Sequence, residues 1–230
     1  VGVVPRNPAR QVGDFFLSKF EVTLGEFLEF INAAILAKGA EFAQRLVPQS
    51  KYLGRSDWTI EKNATKTSLP ADMDSRSPVH AIGWFNASTY CRWRTERDKL
   101  LGGRLEYRLA TSAEWEKAAR GVDGRIFPWG NNFDWSFTHG AASRPPGENR
   151  KIVGLFAKDE SPYGLRDMAG GVREWCDEWM DEKRASKVVR GGGWLIPVER
   201  VHRCAGIDAW DPRVTEMGIG LRLAHSPRPK

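Results

Sequence analysis

The chain has 230 residues, with 35 Lys and Arg against 29 Asp and Glu and a formal net charge of +6. That length can bury one substantial core, and its 23 Gly, 13 Pro and 10 Trp read as a turn-rich globular domain. Arginines and acids alternate in CRWRTERDK, DMDSR and DEWMDEKR, which argues for a mixed, solvated surface and against a nucleic-acid partner.

Along the chain, Thr23 followed by Glu26 forms a capping box ahead of LGEFLEFINAAI, in which hydroxyl and carboxylate satisfy orphan amide donors. Leu24, Phe27, Leu28 and Ile31 share one face, predicting a helix over about 24–37. Asn86 is placed to cap a second helix through STYCRWRTERDKL, ending near Gly102 and Gly103. Thr111 and Glu114 repeat the box before AEWEKAAR, and Gly121 supplies the stop. The stretches FPWGNNFDWSF and AASRPPGENR carry turn residues without a period, the first of them rich in Trp and Phe, and imply ordered loops packed by their own aromatics. Strand candidates are short: FFLSKFEV, RLEYRLA, KVVRGGGW and GIGLRLA. Together these elements predict a mixed α+β fold closed by a C-terminal hairpin-like pair.

Few residues offer chemistry. Cys91, Cys176 and Cys204 are isolated, with no CxxC spacing, and read as structural thiols of a reducing compartment. His80, His139, His202 and His225 are scattered singly without metal-ligand spacing. No nucleophile elbow, P-loop or dinucleotide fingerprint is present, and Gly191, Gly192 and Gly193 suit a close backbone approach within a strand. No apolar run reaches the ~20 residues of a membrane helix, and VGVVPRNPAR lacks a signal-peptide layout. The expectation is therefore no cofactor, no metal, no membrane partner and a cytoplasmic location.

The blocks FFLSKFEVTLGEF, SPVHAIGWFNASTYCRW, YRLATSAEWEKAARG, FPWGNNFD, SPYGLRDMAGGVREW, RGGGW and GIGLR occur in this order. They resemble the formylglycine-generating-enzyme-like domains, a branch of the C-type lectin fold. The resemblance implies one domain over about 14–224, with 1–13 as an extension and 225–230 as a tail. The family's oxidases carry a pair of reactive cysteines in the C-terminal segment to hold copper, whereas WLIPVERVHR has none and Cys204 is a lone thiol. Their calcium motif Gly-Asn-x-Trp-Glu-Trp reads GGVREW here, with Gly171 in place of the Asn and Glu174 as the remaining carboxylate. At their other calcium site, Thr138 and His139 stand where the family often has Asn.

The segment 190–222 mixes two kinds of residue. Arg190, the three glycines, Trp194, Arg203, Ala205, Pro212, Gly220 and Arg222 match the family frame. Leu195, Ile196, Val198, Glu199, Val201, His202, Ile207, Asp208, Val214 and Thr215 fill its unconstrained positions, and Trp210 is the best single anchor candidate. Pro, Gly and charges interrupt any long helix or strand, so part of this apolar filling should lie exposed, rimmed by Glu199, Arg200, Asp208, Asp211 and Arg213, as in a protein-recognition surface. The layout is similar to the variable proteins of diversity-generating retroelements, which place changeable positions between a GGxW-type strand and a final GxR strand. That resemblance implies a non-catalytic module binding a protein or other macromolecule. DWSF and DESPYGLRDMAGGVREW also resemble sensor or accessory domains of bacterial serine/threonine kinases, and a cryptic oxidase is the remaining alternative.

Overall fold

A computed structural model describes residues 11–49, 58–143 and 152–226. It begins with strand β1 (Phe16–Leu17), then α1 (Leu24–Lys38) and α2 (Ala40–Gln44). The first capping box forms as predicted: Glu26 N–H donates to Thr23 Oγ1 at 3.3 Å while Thr23 N–H donates to Glu26 Oε2 at 2.9 Å. Leu24, Phe27, Phe30, Ile31, Ala34 and Ile35 recur at helical spacing and are buried, so α1 lays one stripe on the core. Gly39 ends it at a φ of 86°, a conformation that costs glycine least.

Helix α3 (Trp84–Leu100) starts three residues earlier than an Asn86 cap would place it, with Gly83 at the cap position. Asn86 lies inside the helix and its amide donates to the carbonyls of Arg45 and Leu46 at 3.2 and 3.3 Å. The orphan Trp84 N–H is taken instead by Pro212 O at 2.9 Å, a partner 128 positions further along the chain that no local pattern encodes. Strand β2 (Tyr107–Leu109) leads to α4 (Ser112–Arg120), whose capping box forms and whose Glu114 is also clasped by Arg108 through two 2.7 Å bonds.

The C-terminal half supplies β3 (Arg173–Trp179), β4 (Lys187–Arg190), β5 (Ile207–Trp210), β6 (Ile219–Gly220) and β7 (Leu223–His225). Two sheets result, in strand orders β1-β7-β2 and β5-β4-β3-β6. The expected C-terminal hairpin-like pair does not form: β4, from KVVRGGGW, lies between β5 and β3, and GIGLRLA divides into β6, which runs parallel to β3, and β7, which joins β1 and β2. Leu221 and Arg222 carry the chain from one sheet to the other, so the last strands brace two sheets instead of each other. REWCDEW, for which no strand is predicted, is the central β3; charges at four of its positions mask the pattern, yet Trp175 and Cys176 are fully buried.

One core joins α1, α3 and Trp58, Trp175 and Val189; a second gathers Trp115, Cys176, Val188 and Cys204. The 127–137 loop packs on its own aromatics, with Phe127 stacked on Trp129 at 5.4 Å and Phe133 edge-on to Trp135 at 4.8 Å. Of AASRPPGENR, only Ala141–Ser143 fall within the described residues.

Candidate ligand-binding site

The segment after β4 is tied down at intervals, and the ties explain which side chains are left facing outward. Trp194 is 1% exposed, and its N–H donates to Gly171 O at 2.9 Å. His202 Nδ1 lies 2.6 Å from Ala169 O and Nε2 3.3 Å from Ile196 O. The shorter contact assigns the imidazole proton to Nδ1. A Cβ on Gly192 would come within 2.2 Å of both Ala169 O and His202 Nδ1, so the glycine run serves close approach of the chain to this histidine. Burial holds His202 below its ordinary pKa, and its ring sits 5.3 Å from Trp135 and 5.8 Å from Phe133. Further ties follow at Cys204 N–H to Ile126 O, 2.8 Å, and at Arg190, which reaches Gly206 O and Glu116 Oε2 at 3.0 Å each.

Between these anchors the sequence-predicted residues divide. Leu195, Val198 and Ile207 are 37, 41 and 48% exposed, and Glu199 and Asp208 are exposed too. Ile196, Val201, Trp210, Val214 and Thr215 are half-buried. His202 does not belong with them: at 1% exposed it lies beneath the segment, because its two ring nitrogens and its aromatic faces are used up in holding the loop. Trp210 is not a free anchor either, since it packs against the main core and donates from Nε1 to Asp208 Oδ2 at 3.2 Å. Ile207–Trp210 forms the outer strand of its sheet; a four-residue strand was hidden by the glycine and charges around it.

Arg173, which was not among the sequence-predicted residues, lies beside them. It donates from Nη2 to Asp208 Oδ2 at 2.7 Å across 35 residues. Partial burial pushes the Asp208 carboxyl up, but Arg173 and the Ala209 N–H outweigh it and hold it below the ordinary carboxylate range. The only hint of this in the chain was the unusual Arg inside GGVREW. On the far side of β4, Lys187 lies directly across from Trp210 and is sandwiched with Nζ 3.9 Å from the Trp84 ring centroid and 4.3 Å from that of Trp179. Burial lowers its pKa, and the clamp ties the start of β4 to α3 and to the end of β3.

The GGVREW turn does not fit a calcium ion. Gly171 offers no side-chain oxygen, and a Cβ there would meet Glu21 Oε1 at 2.4 Å. Both Glu174 oxygens are already engaged, by Arg222 at 2.8–3.2 Å and by Trp115 Nε1 at 2.6 Å. Cys91, Cys176 and Cys204 are all buried and free of disulfides. Burial pushes the Cys91 and Cys204 thiols up to about 12 and that of Cys176 well up as well, the reverse of what a nucleophilic or metal-binding thiolate requires. No described helix is long and apolar enough to cross a membrane.

Residues 4–227 match the sulfatase-modifying factor enzyme 1-like domain. The chain belongs to this family. Among curated relatives, it is 35% identical over 217 residues to the inactive C-alpha-formylglycine-generating enzyme 2 of Mus musculus, covering 82% of this chain and 67% of that protein. It is 24% identical over 263 residues to the mouse formylglycine-generating enzyme, covering 94% and 68%. The serine/threonine-protein kinase pkn1 of Chlamydia caviae is 27% identical over 91% of this chain, which spans only 32% of the kinase. Among solved structures, the Treponema denticola variable protein 1 superposes with a TM-score of 0.65 at 19% identity, covering 93% and 84% of the two chains; a likeness at that identity speaks for the fold. The family therefore includes members named as inactive, and the fold is the formylglycine-generating-enzyme-like form of the C-type lectin fold.

Proposed function

We propose that this domain is a non-catalytic binding module that recognises a protein or other macromolecule through the outer side of residues 195–215, in the manner of a variable protein. The observation that carries the reading is the division just described. Trp194, His202, Cys204 and Pro212 fix the backbone from beneath while Leu195, Val198, Glu199, Ile207 and Asp208 face outward. Such an arrangement lets side chains change without moving the chain that presents them. Apolar residues exposed among Glu199, Arg200 and Arg213 have the mixed character of recognition surfaces. The inward-facing, protonated thiols further support a binding role over oxidation chemistry.

A photo-crosslinking amino acid placed at 195, 198 or 207 tests this. The surface reading expects a macromolecular adduct from those positions and none from 36 or 100, exposed leucines on α1 and α3. Excess unlabelled wild-type protein should compete the adduct away, whereas a Leu195→Asn, Val198→Asn, Ile207→Asn competitor should not. Equal capture at all five positions refutes the assignment. The similarity to pkn1 supports a second setting for the same module, as the accessory domain of a kinase; an adduct with a kinase substrate or regulator would distinguish it from free-standing display.

A further inference from the structure

β5 is the outer strand of its sheet, and an outer strand offers one row of backbone groups to any chain that comes alongside. Among the described residues no strand lies on that side. The alternation of an antiparallel ladder decides which of its groups face outward. Arg173 N–H donates to Gly218 O at 2.8 Å, so Arg173 turns its backbone toward β6. Glu174 therefore turns toward β4, where its partner is Arg190, and Arg190 in turn faces β3. That leaves Val189 and Lys187 to bond β5 through their partners Asp208 and Trp210. Ile207 and Ala209 accordingly point N–H and C=O away from the sheet.

A second copy of β5 fits this row. Set antiparallel about a two-fold axis at residue 208, it would bring Ile207 opposite Ala209 on both sides of the axis, and each such pair would exchange N–H···O bonds in both directions. Asp208 stands in the way. Its Oδ1 accepts the Ala209 N–H at 2.8 Å, and one bond of each pair needs that amide. Its Oδ2 is pinned by Arg173 Nη2 at 2.7 Å and by Trp210 Nε1 at 3.2 Å. The Arg173 side chain is 11% exposed and its buried Nε has no partner, so a carboxylate that swung aside would strand a nearly buried cation. The grip comes from β3, across β4, and keeps the carboxylate folded back on its own strand.

We propose that Asp208, positioned by Arg173, closes the outer edge of β5 to backbone pairing, so that neither a second copy of this chain nor another extended segment adds to the sheet. The strand needs such a guard because it also carries an exposed apolar side chain, Ile207, and an apolar outer strand invites unwanted partners. With the edge closed, contact through residues 195–215 falls to side chains, which discriminate between partners, whereas backbone pairing accepts any extended chain. The guard does not depend on the binding reading, since the edge is closed whether or not the segment meets a partner.

Sedimentation velocity of the whole chain, from micromolar to submillimolar concentration, reads the guard. The wild type should hold its mass across the range, whereas Asp208→Ala frees the Ala209 amide and should gain mass with concentration, as for self-association at least about tenfold tighter. Pairing of two copies would also set Asp208 against its counterpart; Asp208→Asn removes that repulsion but keeps an acceptor, so it should sediment as the wild type. Adding Ala209→Pro to Asp208→Ala deletes the freed N–H at an edge position that tolerates proline, and should abolish the association. Asp208→Ala sedimenting as the wild type, Asp208→Asn associating as strongly as Asp208→Ala, or association that survives Ala209→Pro overturns the proposal. Amide hydrogen exchange of the folded wild type gives a second reading that needs no Asp208 variant. Ile207 and Ala209 both point outward, so after correction for intrinsic rates Ala209 should exchange at least about tenfold more slowly than Ile207, and Arg173→Met should narrow the difference while Arg173→Lys restores part of it. Equal rates in the wild type, or a difference that Arg173→Met leaves unchanged, refute the guard.

Discussion

Replacing Arg222 by Met would remove the cation that pairs with Glu174 and strip the carbonyls of Ser18 and Arg166 of donors at 3.0 and 2.9 Å, while Lys19 O keeps the Arg166 N–H. Breaking one side of a buried pair costs about 3–5 kcal/mol, and the unpaired carbonyls add roughly 1 kcal/mol or more between them. For a chain of this size each kcal/mol moves the melting point by about 2–4 °C, so the variant should melt roughly 10–20 °C below wild type at pH 7. The two ends of the fold should both respond, because Arg222 sits where the chain crosses between sheets. Differential scanning calorimetry with urea titration measures the loss. Adding Glu174→Gln to the Arg222→Met background should recover part of it, since the uncompensated charge goes while Trp115 Nε1 keeps an acceptor. A cost of Arg222→Met below about 1 kcal/mol, or a double variant as damaged as the sum of both single changes, would refute the argument that this pair organises the crossing.

Other consequences are equally concrete. Trp210→Ala should cost about 1–3 kcal/mol of stability in denaturant titration, in contrast to a solvent-exposed anchor, because the ring packs on the core beside Lys187. Trp194→Ala, which empties a fully buried site, should cost more, about 3–5 kcal/mol. His202 is held below its ordinary 6.5 by burial, so its contribution is present above that pH and lost as pH falls below it, where the unfolded chain gains the proton; His202→Gln should flatten this acid limb in pH-dependent melts. The three thiols should resist alkylation by iodoacetamide in the native protein and react in urea, given their burial and raised pKa values.

Local signals were legible where the partner lies a few residues away. Both Thr–Glu capping boxes, the apolar stripe of α1 and the aromatic loop 127–137 need only their own neighbours, and all three formed. What escaped was whatever depends on distant chain. The start of α3 is set by Pro212, β3 hides behind its outward charges, and the last two strands separate because Arg222 bonds into both halves of the fold. The same division runs through the binding segment. Residue type distinguished frame from filling, but it could not show that His202 points down onto Ala169 or that Arg173 reaches up to Asp208.

The most direct measurement replaces Leu195, Val198, Glu199 and Ile207 together by Asn or Ser and follows both unfolding and adduct formation at a reporter crosslinker in position 214. With those four side chains outward and the backbone held from beneath, the substituted protein should unfold cooperatively within several degrees of wild type yet lose its macromolecular adduct. Collapse of the cooperative transition, or an adduct undiminished by the exchange, would contradict the claim that this segment is a tolerant surface that does the recognising.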